Sequence, residues 1–206
     1  MNRLTESTLA ESVTILSNRD PGLASVVRRY GLPPLWARRP GFATLLKIIL
    51  EQQVSLASAA AAFERLLEVV GALSPDTFLA LDDVTLRQVG FSRQKTRYGR
   101  LLAGALLDGS LDLEALEHLD DVEARKALTS LKGIGPWTAD TYLLMAQLRP
   151  DVWPAGDIAL QAAVQDLRSR PTRPSHDEMI DLAEQWRPWR AVAARILWFH
   201  YLDGQG

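Results

Sequence analysis

The sequence of 206 residues contains no cysteine. This absence excludes disulfides, thiol nucleophiles, cysteine-bound zinc and cysteine-held iron–sulfur clusters. The only three histidines, His118, His176 and His200, are too scattered to predict a metal site. Period-two runs rich in β-branched residues, which are typical of strands, are nearly absent as well. The chemistry of this chain must therefore come from oxygen, nitrogen and aromatic groups on a helical framework.

Long hydrophobic runs are also missing. No segment approaches the about 18 continuous apolar residues that a membrane helix needs, and the first thirty residues hold no secretory signal. We therefore expect a cytoplasmic protein, associated with the nucleoid if it is bacterial. The net charge of −2 shows no general basic excess for binding nucleic acid. Basic residues do cluster locally, at Arg28/Arg29, Arg38/Arg39 and Arg93, Lys95, Arg97 and Arg100.

Apolar residues recur at helical spacing through most of the chain, which predicts an all-α fold. Capping residues punctuate the pattern and mark the expected helix starts. These starts are at Ser55, Ser74, Asp82, Ser92, Asp120, Asp157 and Ser175. For the first helix, Thr8 and Glu11 have the spacing of a capping box. The length allows one domain or two closely packed lobes.

The segment LKGIGPWTAD at 131–140 predicts a tight turn between two helices. Gly133 and Gly135 flank Ile134, and glycine permits positive φ and a close approach of the backbone to a partner. The apolar side chain of Ile134 would pack into the lobe that carries the turn and anchor it there. The N–H groups at the start of the following helix are suited to a phosphate. A plain structural turn is the alternative interpretation of this segment.

Several motifs in order resemble the helix-hairpin-helix DNA glycosylases, and most closely the alkylbase enzymes of the 3-methyladenine DNA glycosylase II type. They are GFATLLKIILEQQVSLASA, GFSRQKTRYGRLLA, the hairpin and WRPWRAVAARILW. The resemblance covers the chain from about Arg38 onward. It implies a two-lobed all-α fold with the active cleft between the lobes. A central bundle at 40–150 would end in the helix-hairpin-helix at about 121–148, and 1–39 plus 151–206 would form the second lobe. The short N-terminal region implies the compact form without an extra N-terminal domain.

The resemblance assigns catalysis to Asp157, twenty positions after Trp137. A carboxylate there would stabilise the cationic sugar or position the attacking water. An aspartate before a helix is also a good N-cap, and Asp157 can do both. Trp137 occupies the position at which bifunctional members carry a nucleophilic lysine. The expected enzyme is therefore monofunctional and has no lyase activity.

The remaining site residues are also implied by the resemblance. Trp137 would form a wall of the base pocket, because an indole face can stack on an electron-poor alkylated base. Trp189 and Tyr142 are further pocket candidates, whereas Trp186 and Trp198 are predicted core residues. Gln53 matches the position that enters the gap left by a flipped base; polar capping is its alternative. Further DNA contacts are expected from Gly133, Ile134, Gly135, Thr138, Arg190, Arg93 and Lys95.

No cofactor is expected, although the main-chain carbonyl of Leu131 and its neighbours can hold a structural monovalent cation. The expected partner is double-stranded DNA containing alkylated bases such as 3-methyladenine and 7-methylguanine. The protein, acting as a monomer, would leave an abasic site for base excision repair.

Other functions fit the sequence less well. The missing cysteines disfavour an endonuclease III or adenine-glycosylase type of enzyme, and the missing lysine disfavours an oxoguanine-type lyase. A non-catalytic helix-hairpin-helix module that binds DNA or senses damage is the main alternative, although it needs no carboxylate at Asp157. A helical interaction scaffold would predict no salt-sensitive affinity for DNA.

Overall fold

In a computed structural model, which describes residues 3–203, every regular element is helical and none of these residues forms a strand. The all-α prediction is confirmed. The α-helices are α1 Glu6–Arg19, α2 Pro21–Tyr30, α3 Phe42–Glu51, α4 Leu56–Val70, α5 Pro75–Leu79, α6 Asp83–Val89, α7 Arg93–Leu107, α8 Asp121–Thr129, α9 Pro136–Met145, α10 Ile158–Leu167, α11 His176–Ala183 and α12 Arg190–Asp203. Within residues 3–203, no helix has the length and apolar character needed to span a membrane.

The chain divides into two compact units. The central unit is Arg38–Tyr142, and the terminal unit combines Met1–Ala37 with Leu143–Gly206. The division falls within α9.

The central unit is built around α3, which is apolar on most of its faces. Leu45, Leu46, Ile48 and Ile49 are completely buried, and α3 packs on α4 and α7. Burying a leucine or isoleucine side chain contributes about 1.5 to 3 kcal/mol, so this helix contributes strongly to the stability of the unit.

The terminal unit is organised around α12, which packs on α1, α2 and α10. Residues 191–198 of this helix are all buried. Arg195 is among them and is completely buried, so its guanidinium must be satisfied inside the protein. It donates hydrogen bonds to the main-chain oxygens of Leu35, Leu144 and Ala191 at 2.8–2.9 Å. This side chain therefore ties three segments of the terminal unit together.

Asp20 forms a second polar junction in the terminal unit. It ends α1 and is the N-cap of α2, where its Oδ1 accepts from the N–H groups of Gly22 and Leu23. Its Oδ2 accepts from the indole of Trp186 at 2.9 Å and from the guanidinium of Arg168. The predicted core position of Trp186 is confirmed, since the residue is 1% exposed.

The helix starts follow the sequence signals closely. All seven predicted N-caps are observed, each with a side-chain oxygen that accepts from the first turn. The prediction for α1 is wrong, because Thr5 and not Thr8 is the N-cap. Thr8 is the third helical residue and its hydroxyl accepts from the Thr5 N–H at 2.8 Å. A threonine replaces the usual glutamate of the box, so the helix begins earlier than Glu11 indicated.

Candidate functional site

The hairpin between α8 and α9 is a turn that requires glycine at one position. The N–H of Ile134 donates to the carbonyl of Leu131 at 3.0 Å and closes the turn. Gly133 has φ +105°, and a Cβ atom there would lie 2.4 Å from Cγ of Tyr98. Both the backbone conformation and the aromatic ring therefore exclude a larger residue. Ile134 is 4% exposed and anchors the turn, as predicted.

The start of α9 presents an open surface. Gly135 is exposed, and a Cβ atom there would meet nothing within 4 Å. The first turn of a helix has N–H groups without an acceptor in the helix, and its positive dipole end favours an anion. The hairpin thus leaves room for a ligand beside Gly135, and its predicted role in phosphate binding stays a prediction.

Gln52 joins this hairpin to the end of α3. Its Nε2 donates to the Gly133 carbonyl and to Oγ1 of Thr138, both at 2.9 Å. Thr138, a predicted DNA contact, is 2% exposed, and its hydroxyl serves this internal bond. The sequence alone assigned no role to Gln52, because its partners lie more than 80 residues away.

Gln53 is exposed and has φ +57°, a left-handed conformation that is uncommon outside glycine. Val54, which follows it, is also 46% exposed. This corner between α3 and α4 therefore projects two side chains from a bent backbone. The predicted role of Gln53 in a flipped-base gap is compatible with this placement and stays a prediction.

The two aromatic residues of α9 that were predicted to line a base pocket have different surroundings. Trp137, in the first turn, is half-buried. Tyr142 is completely buried, and its hydroxyl accepts from the Gly41 N–H at 3.0 Å. Burial raises the pKa of Tyr142 above its ordinary value. Trp137 thus has surface available to a ligand, whereas Tyr142 is placed as a core residue of the central unit.

Asp157 lies in the terminal unit as the N-cap of α10 and is 8% exposed. Its Oδ1 accepts from the main-chain N–H of Leu160 at 2.9 Å and from Nε1 of Trp198 at 3.1 Å. The carboxylate is therefore held in one orientation by two donors. Trp198 is buried as predicted, but its contact with Asp157 was missed, because no local pattern links residues 41 positions apart.

Trp189 and Arg190 stand at the start of α12, and both are half-buried. The Arg190 guanidinium donates Nε and Nη2 to the two carboxylate oxygens of Asp151, each at 3.0 Å. Arg187 adds a further bond to Asp151 at 2.7 Å. Arg190 is thus held in a bidentate ion pair, which orients it and partly neutralises its charge.

The basic cluster on α7 separates into two kinds of residue. Lys95 is half-buried and its Nζ donates to the Leu50 carbonyl at the end of α3, at 2.5 Å. Burial lowers the pKa of this lysine. Arg93 is exposed and, with Arg97 and Arg100, lines a shallow surface cavity of about 310 Å³. Arg93 is therefore more accessible to a phosphate than Lys95.

Metal chemistry has little support in the described residues. Among residues 3–203, no group of three or more histidine, aspartate or glutamate side chains is arranged to hold a metal ion. An alkali cation at the hairpin would need main-chain oxygen ligands, which are the hard donors that such ions prefer. The Leu131 carbonyl accepts one hydrogen bond from Ile134 and has a second lone pair, so it fits this donor type.

Known proteins are similar to this chain in sequence and in fold. A putative DNA-3-methyladenine glycosylase, YfjP of Bacillus subtilis, is 29% identical over 184 residues; the match covers 85% of this chain and 64% of that protein. The chain thus spans slightly less than two thirds of this relative.

Two solved structures superpose well. One is the 3-methyladenine DNA glycosylase Mag1 of Schizosaccharomyces pombe in complex with abasic DNA, with TM-score 0.80, 26% identity and coverage of 91% of this chain and 95% of Mag1. The other is a DNA-3-methyladenine glycosidase of Bacillus halodurans, with TM-score 0.77, 29% identity and coverage of 96% and 91%.

A family profile matches residues 46–188, which contain the hairpin, Asp157 and the segment before α12. This match extends over more than half of the chain. The chain belongs to the HhH-GPD superfamily of base excision DNA repair proteins.

Proposed function

We propose that the chain is a monofunctional DNA glycosylase that removes alkylated bases, such as 3-methyladenine and 7-methylguanine, from double-stranded DNA. The observation that carries this proposal is the buried carboxylate of Asp157, oriented by two N–H donors at the start of α10. Family membership and the similarity to 3-methyladenine glycosylases support the same reaction class. We expect a monomer that acts in the cytoplasm, in association with the nucleoid if the protein is bacterial.

Asp157 is the proposed catalytic residue. When the N-glycosidic bond breaks, both bonding electrons leave with the base and positive charge develops on the sugar. A fixed carboxylate stabilises this charge without reorganising during the reaction. A water oxygen then bonds to the sugar carbon and releases its proton to Asp157 or to solvent. The product is an abasic site in an intact strand.

Trp137 is the proposed wall of the base pocket. An alkylated base carries positive charge, so the face of an indole attracts it by cation–π interaction. Such a base also leaves easily, and a broad pocket then suffices for several substrates. Trp189 is a second candidate for the pocket, whereas the core position of Tyr142 favours a structural role for that residue. Without a lysine in place of Trp137, no Schiff base forms and the strand is not incised.

The hairpin is the proposed phosphate site. Gly133 and Gly135 let the backbone approach a phosphate, and the start of α9 supplies N–H groups. Gln53 would enter the gap left by the extruded nucleotide. Arg93 would add a phosphate contact outside the hairpin. A monovalent cation, if bound, would be held by the Leu131 carbonyl with its neighbours and would stiffen the turn.

The test measures base release from duplex oligonucleotides that carry 3-methyladenine or 7-methylguanine. Asp157→Asn keeps an N-capping side chain and removes the charge, so release should fall by at least about 100-fold. Asp82→Asn makes the same change at the N-cap of α6 and is the matched control, with unchanged release expected. Undiminished release by Asp157→Asn would refute the catalytic assignment.

Two further outcomes distinguish the alternatives. Borohydride should trap no covalent protein–DNA adduct, and a trapped adduct would overturn the monofunctional assignment. Binding of lesion-containing DNA by the unaltered protein without release of any base would instead support the non-catalytic damage-sensing module.

A further inference from the structure

The corner between α3 and α4 is bonded to three other parts of the central unit. We define this corner as residues 50–54. Arg38 forms a bidentate ion pair with Glu51, with both N–O distances at 3.0 Å. Glu51 is 8% exposed, so this pair is poorly screened by solvent. The corner is thus tied to the segment that precedes α3.

The same corner is held from α7 by Lys95, which donates to the carbonyl of Leu50 at 2.5 Å. A cation at the C-terminal end of a helix also interacts favourably with the negative end of the helix dipole. Two consecutive residues of the corner, Leu50 and Glu51, therefore have fixed partners before the chain reaches Gln52.

Gln52 connects this rigid corner to the hairpin. Its amide nitrogen has two N–H groups, and these match the Gly133 carbonyl and the Thr138 hydroxyl, each at 2.9 Å. The peptide plane after Gly133 is consequently held at both ends. Its carbonyl accepts from Gln52, and its N–H, which belongs to Ile134, donates to Leu131. The turn thus has little freedom to rotate.

Gln53 follows Gln52 directly and holds a left-handed conformation, with φ +57°, while its side chain is exposed. A strained residue persists only where its surroundings over-determine the backbone. The contacts of Leu50, Glu51 and Gln52 provide that constraint. The backbone at Gln53 is therefore fixed in position relative to the hairpin, and its side chain projects into solvent.

We propose that Gln52 is a positioning residue, which holds the phosphate-binding hairpin and the exposed Gln53 in one fixed relative position. This inference rests on the proposed function. When the hairpin binds a phosphate of the damaged strand, this fixed relative position places Gln53 at the gap that the extruded base leaves. Gln52 acts through its neighbours and touches neither the base nor the sugar.

The test compares two duplexes in single-turnover base release. In one, 7-methylguanine is paired with cytosine; in the other, it lies opposite a stable abasic-site analogue. Extruding a base costs least when it has no partner, so support from Gln53 matters most for the paired lesion. Gln52→Met should slow release about tenfold from the paired lesion and less than about threefold from the unpaired one. A merely structural loss would slow both reactions equally.

Two variants make the comparison specific. Gln165→Met removes a glutamine amide that bonds the Pro171 carbonyl in the terminal unit, and its rates should equal those of the unaltered protein. Thr138→Val should slow release from the paired lesion alone, and should add nothing in the Gln52→Met background, because both changes break the same bond. If Gln52→Met fails to fold, Gln52→Glu takes its place, because it keeps the length of the side chain and removes both N–H donors.

The outcomes separate this inference from the proposed function. Active unaltered protein with equal rates for Gln52→Met, or with equal slowing on both duplexes, overturns the positioning role alone. Unaltered protein that releases no base from either duplex, and none from a duplex carrying 3-methyladenine, overturns the glycosylase assignment and the positioning role with it.

Discussion

The indole Nε1–H of Trp198 donates a hydrogen bond to Oδ1 of Asp157 across 3.1 Å. Trp198 belongs to α12 and Asp157 caps α10, and these two helices pack against each other. The same Oδ1 also accepts from the Leu160 N–H. An aspartate that caps a helix needs a donor only from that helix. The additional donor from α12 therefore orients the Asp157 carboxylate beyond what capping requires.

Trp198→Phe tests this relationship, because it keeps an aromatic ring and removes the donor. We expect the free energy of unfolding to fall by about 1 to 2 kcal/mol, as a buried carboxylate loses one hydrogen bond. Base release in single turnover should slow about tenfold, since the carboxylate is then held by one donor fewer. Urea unfolding and release from a 7-methylguanine duplex give the two values.

Trp153→Phe is the matched control in the same unit. Its Nε1 donates to the Met179 carbonyl at 3.0 Å, and the residue is 4% exposed. This variant should lose a similar free energy of unfolding while retaining its rate of base release. If the two variants lose activity equally, the link between Trp198 and Asp157 has no catalytic importance.

The hairpin glycines should respond differently to alanine. Gly133→Ala forces a Cβ atom to 2.4 Å from the Tyr98 ring at φ +105°, so the turn must shift. We expect a loss of about 2 kcal/mol or more of unfolding free energy, together with weaker DNA binding. Gly135→Ala points into open space and should leave stability within about 0.5 kcal/mol.

Gly135→Ala tests whether a DNA phosphate lies close to the backbone at this position. Its DNA binding is measured by fluorescence anisotropy on an abasic-analogue duplex. Weaker binding with unchanged stability is the expected result. Binding equal to that of the unaltered protein would mean that no ligand backbone lies against Gly135.

The local part of this structure was predictable from sequence. An N-cap depends on a side-chain oxygen within three residues of the N–H that it binds, so signals such as Ser92 or Asp120 suffice. The hairpin was likewise visible, because Gly133 and Gly135 interrupt two helical patterns. The start of α1 was predicted incorrectly because Thr5 and Thr8 both carry suitable oxygens, and local sequence alone did not rank them.

The non-local part of the site was not predictable in this way. The bond from Gln52 to Gly133 spans 81 residues, and the bond from Trp198 to Asp157 spans 41. Such pairs are set by helix packing and leave no periodic signal along the chain. Lys95 shows the same limit, since a basic residue in a basic cluster proved to be a partner of the Leu50 carbonyl.

Arg93 and Lys95 should therefore differ in their effect on the salt dependence of DNA binding. Arg93→Gln removes an exposed charge. If Arg93 contacts a phosphate, the plot of log K against log salt should become less steep, its negative slope losing about 1 in magnitude. Lys95→Gln should change the slope less, because its ammonium already binds Leu50. Titrations of a duplex at several salt concentrations measure both slopes. The reverse order would place Lys95, and not Arg93, on the DNA.

Arg195→Met tests the junction in the terminal unit. The substitution keeps a long apolar side chain but leaves the carbonyls of Leu35, Leu144 and Ala191 without its donors. We expect the free energy of unfolding to fall by about 2 to 4 kcal/mol. Arg195→Lys should be intermediate, because one ammonium cannot reproduce the fork of a guanidinium.

The pH dependence of this effect has a definite sign. Burial lowers the pKa of Arg195 from its ordinary value to about 10, against an opposing effect of the Glu6 charge. Below pH 9 the folded and unfolded chains both hold this proton, so the difference between Arg195→Met and the unaltered protein should be constant from pH 5 to 9. Above about pH 10 the unfolded chain binds more protons, and the contribution of this group to stability rises with pH. Urea unfolding across pH 5 to 9 checks the flat region. A difference that changes steadily across that range would show that another titrating group controls this junction.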